Sequence, residues 1–220
     1  MREYANAIQT CLAARAIWEP GARVVPGDYG QIVNGCFTRL GSVSELGAQL
    51  RPCEVTDEGK HQFSRGLSAQ EGVSATTRVE WTGELLASLD WAGGAGVFLG
   101  APKSSLFTIT DLGRVVRETL ATKRWGFAWR LVRQVRTLTG GAIVLGGNSA
   151  AAGRLSFEQN IPTQEASVSA KTQRADGFLL AQRGVTGAVY AHTVRLRPWL
   201  AHGSAPLDHE LWFDDDLDDE

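Results

Sequence analysis

A dense run of basic and aromatic residues is the part of this sequence whose composition best suits binding chemistry. Seven bases fall within 23 residues: Arg114, Arg117, Lys123, Arg124, Arg130, Arg133 and Arg136. Trp125, Phe127 and Trp129 lie between them. Arginine beside tryptophan suits a nucleic-acid backbone with stacked bases, or an anionic membrane in which tryptophan anchors at the interface. An ordinary solvated basic face over a core of aromatic rings fits the same pattern.

The charge of the chain is unevenly distributed. Net charge is -2 over 220 residues, but six acids lie between Asp214 and Glu220. Residues 1–213 therefore hold 18 acids against 22 bases, a net charge of +4. A basic body with an acidic tail could bind an anionic surface that the tail masks, or the tail could simply be solvated. Overall charge is too low to indicate nucleic acid, and we expect no nucleic-acid partner.

Catalytic and cofactor motifs are absent from the sequence. Cys36 or Ser149 could act as a nucleophile with a histidine, but neither has a local signature. The cysteines and four scattered histidines lack metal-ligand spacing, and the glycine pairs do not open a helix as phosphate-binding loops do. The sequence therefore indicates a protein that is not an enzyme and that holds no cofactor or metal. A hydrolase built on Cys36 or Ser149 is the third hypothesis.

The elements that must position the basic run are a helix and a hairpin. Leu112, Val115, Val116 and Leu120 recur at helical spacing, and Thr110 or Asp111 is the expected N-cap. We expect a strand from residue 130, a turn at 139–141 and a returning strand at 142–145. Earlier in the chain, residues 2–17 form an amphipathic helix and residues 22–40 a β-meander with a hairpin turn at Asn34-Gly35. Residues 42–72 are expected to be a long connection.

Many short strands and few helices predict an α+β fold, with a mostly antiparallel twisted sheet, an N-terminal helix and a central amphipathic helix. We expect a single domain over residues 1–205 and an acidic tail over residues 206–220. No apolar run is long enough for a membrane-spanning helix, and no signal peptide precedes the body. This favours a cytoplasmic resting form.

Two stretches alternate small apolar and polar residues. Glu71–Leu89 and Gln159–Ala181 could refold as membrane-inserting hairpins, whose strands alternate lipid-facing and water-facing residues. Such strands must close without edges in lipid, so a chain of this size would have to oligomerise. An exposed edge hairpin in a soluble protein gives the same alternation.

The layout of these elements resembles the gasdermin-like pore formers, including their small microbial members. The resemblance covers the N-terminal helix and meander, the alternating strands on either side of a central helix, and the hairpin from Trp129 to Leu145. It implies an autoinhibited protein that assembles into a ring, inserts β-hairpins and acts in cell death or defence. In the small microbial members a C-terminal peptide restrains the body until a protease removes it. Those members carry a lipidated cysteine close to the N-terminus, whereas the first cysteine here is Cys11.

The leading hypothesis is a membrane-permeabilising pore former, cytoplasmic at rest and at the membrane when active. Its partners would be anionic lipid, further copies of itself and an activating protease. The candidate membrane contacts are Arg114, Arg117, Arg124, Trp125, Trp129, Arg130, Arg133 and Arg136. The candidate inhibitory residues of the tail are Leu211, Trp212 and Phe213. The alternative is a soluble β-rich module that binds a protein partner and has no catalytic activity.

Overall fold

A computed structural model of the chain describes residues 2–66, 76–81, 84–91, 96–146, 151–158, 178–196 and 213–215. These ranges hold two α-helices, α1 (Arg2–Leu12) and α2 (Leu112–Ala121), and a 3-10 helix at Val43–Leu46. Their strands are β1 (Arg15–Ile17), β2 (Asp28–Val33), β3 (Cys36–Ser42), β4 (Glu54–Gly66), β5 (Thr76–Trp81), β6 (Glu84–Trp91), β7 (Gly96–Thr108), β8 (Arg130–Gly146), β9 (Ala151–Glu158), β10 (Phe178–Leu196) and β11 (Phe213–Asp215). No helix within these ranges combines the length and the hydrophobicity needed to cross a bilayer.

The larger sheet is mixed and partly closed. Its eight strands follow the order β11-β10-β1-β3-β2-β8-β7-β4, and an additional pairing joins β10 to β8. Strands β10, β1, β3, β2 and β8 thus form a closed ring. Within it β1 runs parallel to β3 and antiparallel to β10. The α+β class is confirmed, but the prediction of a mostly antiparallel twisted sheet is wrong, because the sheet is mixed and five of its strands close into a ring. Closure satisfies backbone groups that the edges of an open sheet would expose.

Helix α2 begins and packs as its apolar spacing predicts. The Asp111 side chain caps it by accepting a hydrogen bond from the Arg114 N–H at 3.3 Å. The buried face of the helix includes Val115, Val116 and Leu120. These side chains join a core cluster with residues of β2, β8 and β10. Helix α2 therefore packs on the ring of strands. The prediction that this helix lies at the centre of the fold was wrong.

The first part of the chain follows the predicted order, with a shorter helix. Ala13, at φ 48°, follows α1, and β1 begins at Arg15. The hairpin β2–β3 turns at Asn34 and Gly35, which have φ of 52° and 78°. Left-handed conformations at both positions are what a two-residue type I′ turn requires, so the Asn-Gly signal is confirmed.

Three expectations about turns and connections were wrong. The hairpin expected at residues 139–141 is instead the continuous 17-residue strand β8. Gly140 takes φ 65° inside that strand, and its N–H donates to Thr186 Oγ1 at 3.2 Å. Glycine permits this conformation without ending the strand. Similarly, Ala101-Pro102-Lys103-Ser104 is a sequence typical of a turn between two short strands, but β7 continues through it. Part of the connection expected at residues 42–72 is the 13-residue strand β4.

The chain divides into two compact units. The first comprises Met1–Glu58, Ser105–Thr137 and Gly187–Glu220, and the second comprises Gly59–Ser104 and Leu138–Thr186. The second unit includes a separate sheet with the strand order β5-β6-β9. The predicted boundary between residues 205 and 206 lies outside the described residues and stays a prediction.

Candidate functional site

The basic residues of α2 differ in what surrounds them. Arg114 donates from Nε to Asp111 Oδ2 at 3.0 Å and from Nη1 to Glu118 Oε1 at 2.8 Å. Its side chain is only 19% exposed. Arg117, on the same helix, is exposed. Arg114 therefore supports the helix in this form, whereas Arg117 is available to an external anion.

These contacts also hold the acids of the helix in their charged forms. The Gln49 N–H donates to Glu118 Oε2 at 2.8 Å and lowers the pKa of that carboxyl, and Arg114 lowers it further. Desolvation raises the pKa of Asp111, but hydrogen bonds from Arg114 outweigh it and leave a pKa below the ordinary value. The side-chain charges on this part of α2 are largely matched within the protein.

The arginines of β8 lie mostly inside the protein. Arg130 is 8% exposed and Arg136 is 6% exposed, while Arg133 is half-buried. The side chains of Arg130 and Arg136 are buried too deeply to reach a lipid headgroup unless their strand moves. Among the eight candidate membrane contacts, therefore, Arg117 and Arg124 are the exposed ones in the described form. The assignment of all eight to a membrane stays a prediction.

The segment between α2 and β8 is a short loop that hydrogen bonds hold to the end of the helix. The Thr122 hydroxyl donates to the Thr119 carbonyl at 2.7 Å. The Lys123 N–H donates to the Leu120 carbonyl at 3.1 Å, and Lys123 adopts φ 56°. One residue in the left-handed region is a common way to end a helix. The chain leaves α2 here and enters the Trp-rich segment with its direction fixed.

Two tryptophans fix the second half of this loop. Trp129 stacks on Tyr29 with ring centroids 4.6 Å apart, and Trp125 meets Trp129 edge to face at 5.6 Å. Trp125 is buried, and its ring lies 5.7 Å from that of Tyr29. The Trp129 N–H donates to the Gly126 carbonyl at 3.0 Å, which closes a turn. Both candidate tryptophans thus serve as internal packing in this form.

Phe127, at the tip of the turn, is the aromatic residue of the basic run that is not among the eight candidate membrane contacts. Its side chain is 66% exposed, more than that of any other large hydrophobic residue in the described part of the chain. The sequence signal for this turn is Gly126, a residue type that is common in turns. In the structure a Cβ at that position would lie 2.8 Å from the Trp129 ring.

The sheet β5-β6-β9 separates its residues into two unlike faces. By register, one face carries no charged residue: Thr77, Val79, Trp81, Leu85, Ala87, Leu89, Trp91, Ala151, Gly153, Leu155 and Phe157. The opposite face carries six charged residues among the following: Thr76, Arg78, Glu80, Glu84, Leu86, Ser88, Asp90, Ala152, Arg154, Ser156 and Glu158. Strands β5 and β6 fall within or beside the predicted segment Glu71–Leu89. Of Gln159–Ala181, residues 159–177 lie outside the described residues.

The described end of the tail pairs with the edge of the larger sheet. Strand β11 is antiparallel to β10, with Phe213 opposite Leu196 and Asp214 opposite Arg195. Leu211 and Trp212 lie outside the described residues. Of the three candidate inhibitory residues, Phe213 is therefore the one whose backbone the structure places.

The catalytic alternatives gain no support from the described geometry. Burial raises the pKa of the Cys36 thiol, which disfavours the nucleophilic thiolate. His192 packs against Tyr190, with ring centroids 6.0 Å apart. Ser149 lies outside the described residues. Across the described residues, no three His, Cys, Asp or Glu side chains come together as a metal site.

The sequence matches no protein-family model and no curated protein. Among solved structures, the chain is similar to one described as the cryo-EM structure of the gasdermin A3 membrane pore. The match covers 89% of this chain and 90% of that chain, at 10% sequence identity and a TM-score of 0.37. This is a weak resemblance at the level of the fold.

Proposed function

We propose that this protein permeabilises membranes by inserting β-strands as an oligomer, and that it is restrained until its tail is displaced. One observation carries the proposal: the sheet β5-β6-β9 has a face without charge and a face rich in charge, in continuous register across three strands. An antiparallel sheet with that division presents one surface to hydrocarbon and the other to water.

The strands of this sheet are close in length to membrane-spanning strands. A transmembrane β-strand tilted by about 45° needs about 9–11 residues, and β6 and β9 each have eight residues, so extension by about one to three residues would complete the span. An outward-facing apolar band of a membrane sheet is about 25 Å tall and ends in aromatic girdles. The uncharged face has Trp81 and Phe157 beside Leu85 at one end and Trp91 at the other.

Three strands cannot span a bilayer alone. In hydrocarbon, an unpaired strand edge leaves backbone N–H and C=O groups without partners, at a cost of several kcal/mol each. Further copies of the chain would supply the neighbouring strands, so the active form is a homo-oligomer. The protein would be cytoplasmic at rest and membrane-bound when active, in cell death or defence.

The pairing of β11 with β10 suggests how the resting form is held. The tail binds along a sheet edge through main-chain hydrogen bonds, and register places acidic Asp214 opposite basic Arg195. A cross-strand pair of opposite charge stabilises an antiparallel pairing. Release of residues 206–220 by a protease would remove this strand and the charge that it carries.

Dye release from vesicles tests the proposal on the folded full chain. A protease recognition sequence is introduced at residues 204–207, and the purified protein is cleaved in the presence of dye-loaded vesicles of anionic phosphatidylglycerol and zwitterionic phosphatidylcholine. We expect leakage only after cleavage. A matched protein with a scrambled recognition sequence controls for the protease itself. Absence of leakage from the cleaved, folded protein would contradict the proposal and favour the protein-binding module.

A further inference from the structure

We propose that the turn Gly126–Trp129, here called the aromatic turn, is a membrane anchor. It would insert Phe127 into the interface of an anionic bilayer while Lys123 and Arg124 contact the headgroups. The inference rests on the proposed function and specifies which surface first meets the lipid. Because this surface is already exposed in the described form, the restrained chain would attach to an anionic bilayer reversibly, and insertion of strands would still require cleavage of the tail.

The aromatic turn is held by contacts within the protein before it meets any partner. Its closing hydrogen bond joins the Trp129 N–H to the Gly126 carbonyl at 3.0 Å. Tyr29 stacks on Trp129, and Trp125 packs against both rings. Because these contacts hold the backbone of the turn, binding through Phe127 requires little further ordering of the backbone, which favours affinity.

The exposure of Phe127 is what such an anchor needs. A single exposed hydrophobic side chain is common on soluble proteins. Phe127, however, lies at the tip of a turn whose two neighbouring tryptophans pack against Tyr29 and each other. Aromatic rings are favoured at the level of the headgroups, where their apolar body leaves water. Burying a ring of this size contributes enough free energy to be measured as a change in vesicle binding.

Charge around the aromatic turn identifies the partner as anionic. Lys123 and Arg124 are exposed immediately before it, and Arg117 is exposed on α2. Arg124 Nη1 contacts the Glu45 backbone carbonyl at 3.4 Å, which leaves its charge unneutralised by that contact. The nearby Glu45 carboxylate lies 3.8 Å from Arg39 Nη2 instead. An exposed ring beside two exposed bases matches an interface of anionic lipid.

The test is sedimentation of the full-length protein with vesicles of phosphatidylglycerol and phosphatidylcholine in equal parts. We expect Phe127→Ala to weaken binding about tenfold, and Arg124→Gln to weaken it about fivefold at low salt. Phe127→Trp should bind at least as well as the original chain. The matched control is Leu40→Ala, which removes an exposed apolar side chain from β3. Circular dichroism confirms that each variant is folded.

The outcomes separate this inference from the proposed function. Binding that is equal for the original chain and for folded Phe127→Ala overturns the anchor. The leakage assay tests the proposed pore independently of this result. If Leu40→Ala weakens binding as much as Phe127→Ala does, the effect is unspecific and the anchor is overturned. Failure of the original chain to sediment with the vesicles also overturns it. Leakage after cleavage without any effect of Phe127→Ala leaves the proposed function standing alone.

Discussion

Arg39 donates its Nε to Oδ2 of Asp28 at 2.8 Å, and the Asp28 side chain is 2% exposed. The same oxygen accepts the Val25 N–H at 3.0 Å, so the carboxylate fastens the turn before β2 to strand β3. The hydrogen bond with Asp28 is the main reason that the pKa of Arg39 is raised. A buried carboxylate needs such a partner, because desolvation otherwise penalises its charge.

Arg39→Ala should therefore destabilise the fold. Removing the guanidinium leaves the Asp28 carboxylate with one backbone donor, and we expect a loss of about 1–3 kcal/mol in the free energy of unfolding. Urea denaturation measures it. Arg39→Lys keeps the charge but not the planar donor geometry and should lose less. Equal stability of Arg39→Ala and the original chain would show that the pair contributes nothing.

Glu118 should make stability depend on pH. Its folded pKa is lowered by the Gln49 N–H and by Arg114, so its contribution is present above the unfolded pKa of about 4.3 and is lost as pH falls through the folded value. Glu118→Gln retains an acceptor for the Gln49 N–H but not the charge. We expect its urea midpoint to be lower than the original at pH 7, and the two midpoints to converge as pH falls below the lowered folded pKa of Glu118.

The matched control for that prediction is Glu45→Gln. Glu45 is exposed, and its carboxylate lies 3.8 Å from Arg39 Nη2, a longer separation than the 2.8 Å between Glu118 and Arg114. Its substitution should change the urea midpoint little at either pH. A pH dependence of Glu118→Gln that parallels the original chain would contradict the assignment.

Gly35→Ala tests the hairpin turn. Gly35 has φ 78°, and a Cβ there would lie 2.8 Å from the Ala5 Cβ. We expect a loss of about 1–2 kcal/mol from the left-handed conformation, and more from the contact with α1. Gly184 is the comparison, since it has φ 65° and a Cβ added there would meet no atom of the described residues within 4 Å. Thermal unfolding should show Gly35→Ala as the more destabilised variant. An equal or lower loss than in Gly184→Ala would show that the contact with α1 adds no destabilisation.

Two lysine substitutions one residue apart test the two faces of the sheet β5-β6-β9. Ala87 lies on the uncharged face between Val79 and Leu155, and Leu86 lies on the charged face opposite Glu80. Lysine facing hydrocarbon at mid-bilayer costs about 2–4 kcal/mol. Ala87→Lys should therefore abolish leakage after cleavage, whereas Leu86→Lys, although it removes the larger apolar side chain, should retain it. Loss of leakage in both folded variants would contradict the assignment of faces.

The parts of the fold that follow from neighbours in sequence were predictable. The apolar spacing of Val115, Val116 and Leu120 depends on the period of one helix, and Asn34-Gly35 on the geometry of one turn. By contrast, Gly140 reads locally as a turn, and only its partners across the sheet keep β8 continuous. The parallel pairing of β1 with β3 has no local signal at all.

The candidate site was predictable in composition and not in exposure. The sequence identifies Arg130 and Arg136 as basic residues, but burial of each depends on strands distant along the chain. For Phe127 the error was the opposite, because the sequence did not indicate that this aromatic residue is exposed. Its neighbours Trp125 and Trp129 are packed by Tyr29, which lies almost 100 residues earlier, and the turn between them then leaves Phe127 outside.

Ring closure also sets when this protein can become folded during its synthesis. Strand β1 lies between β3 and β10, and Arg15 is registered with Ala191. The ribosome must therefore release β10 before β1 has both of its neighbours. Pairings of such long sequence separation form slowly. Until then the nascent chain carries β1 without its β10 neighbour, so one strand edge stays open to other pairing partners.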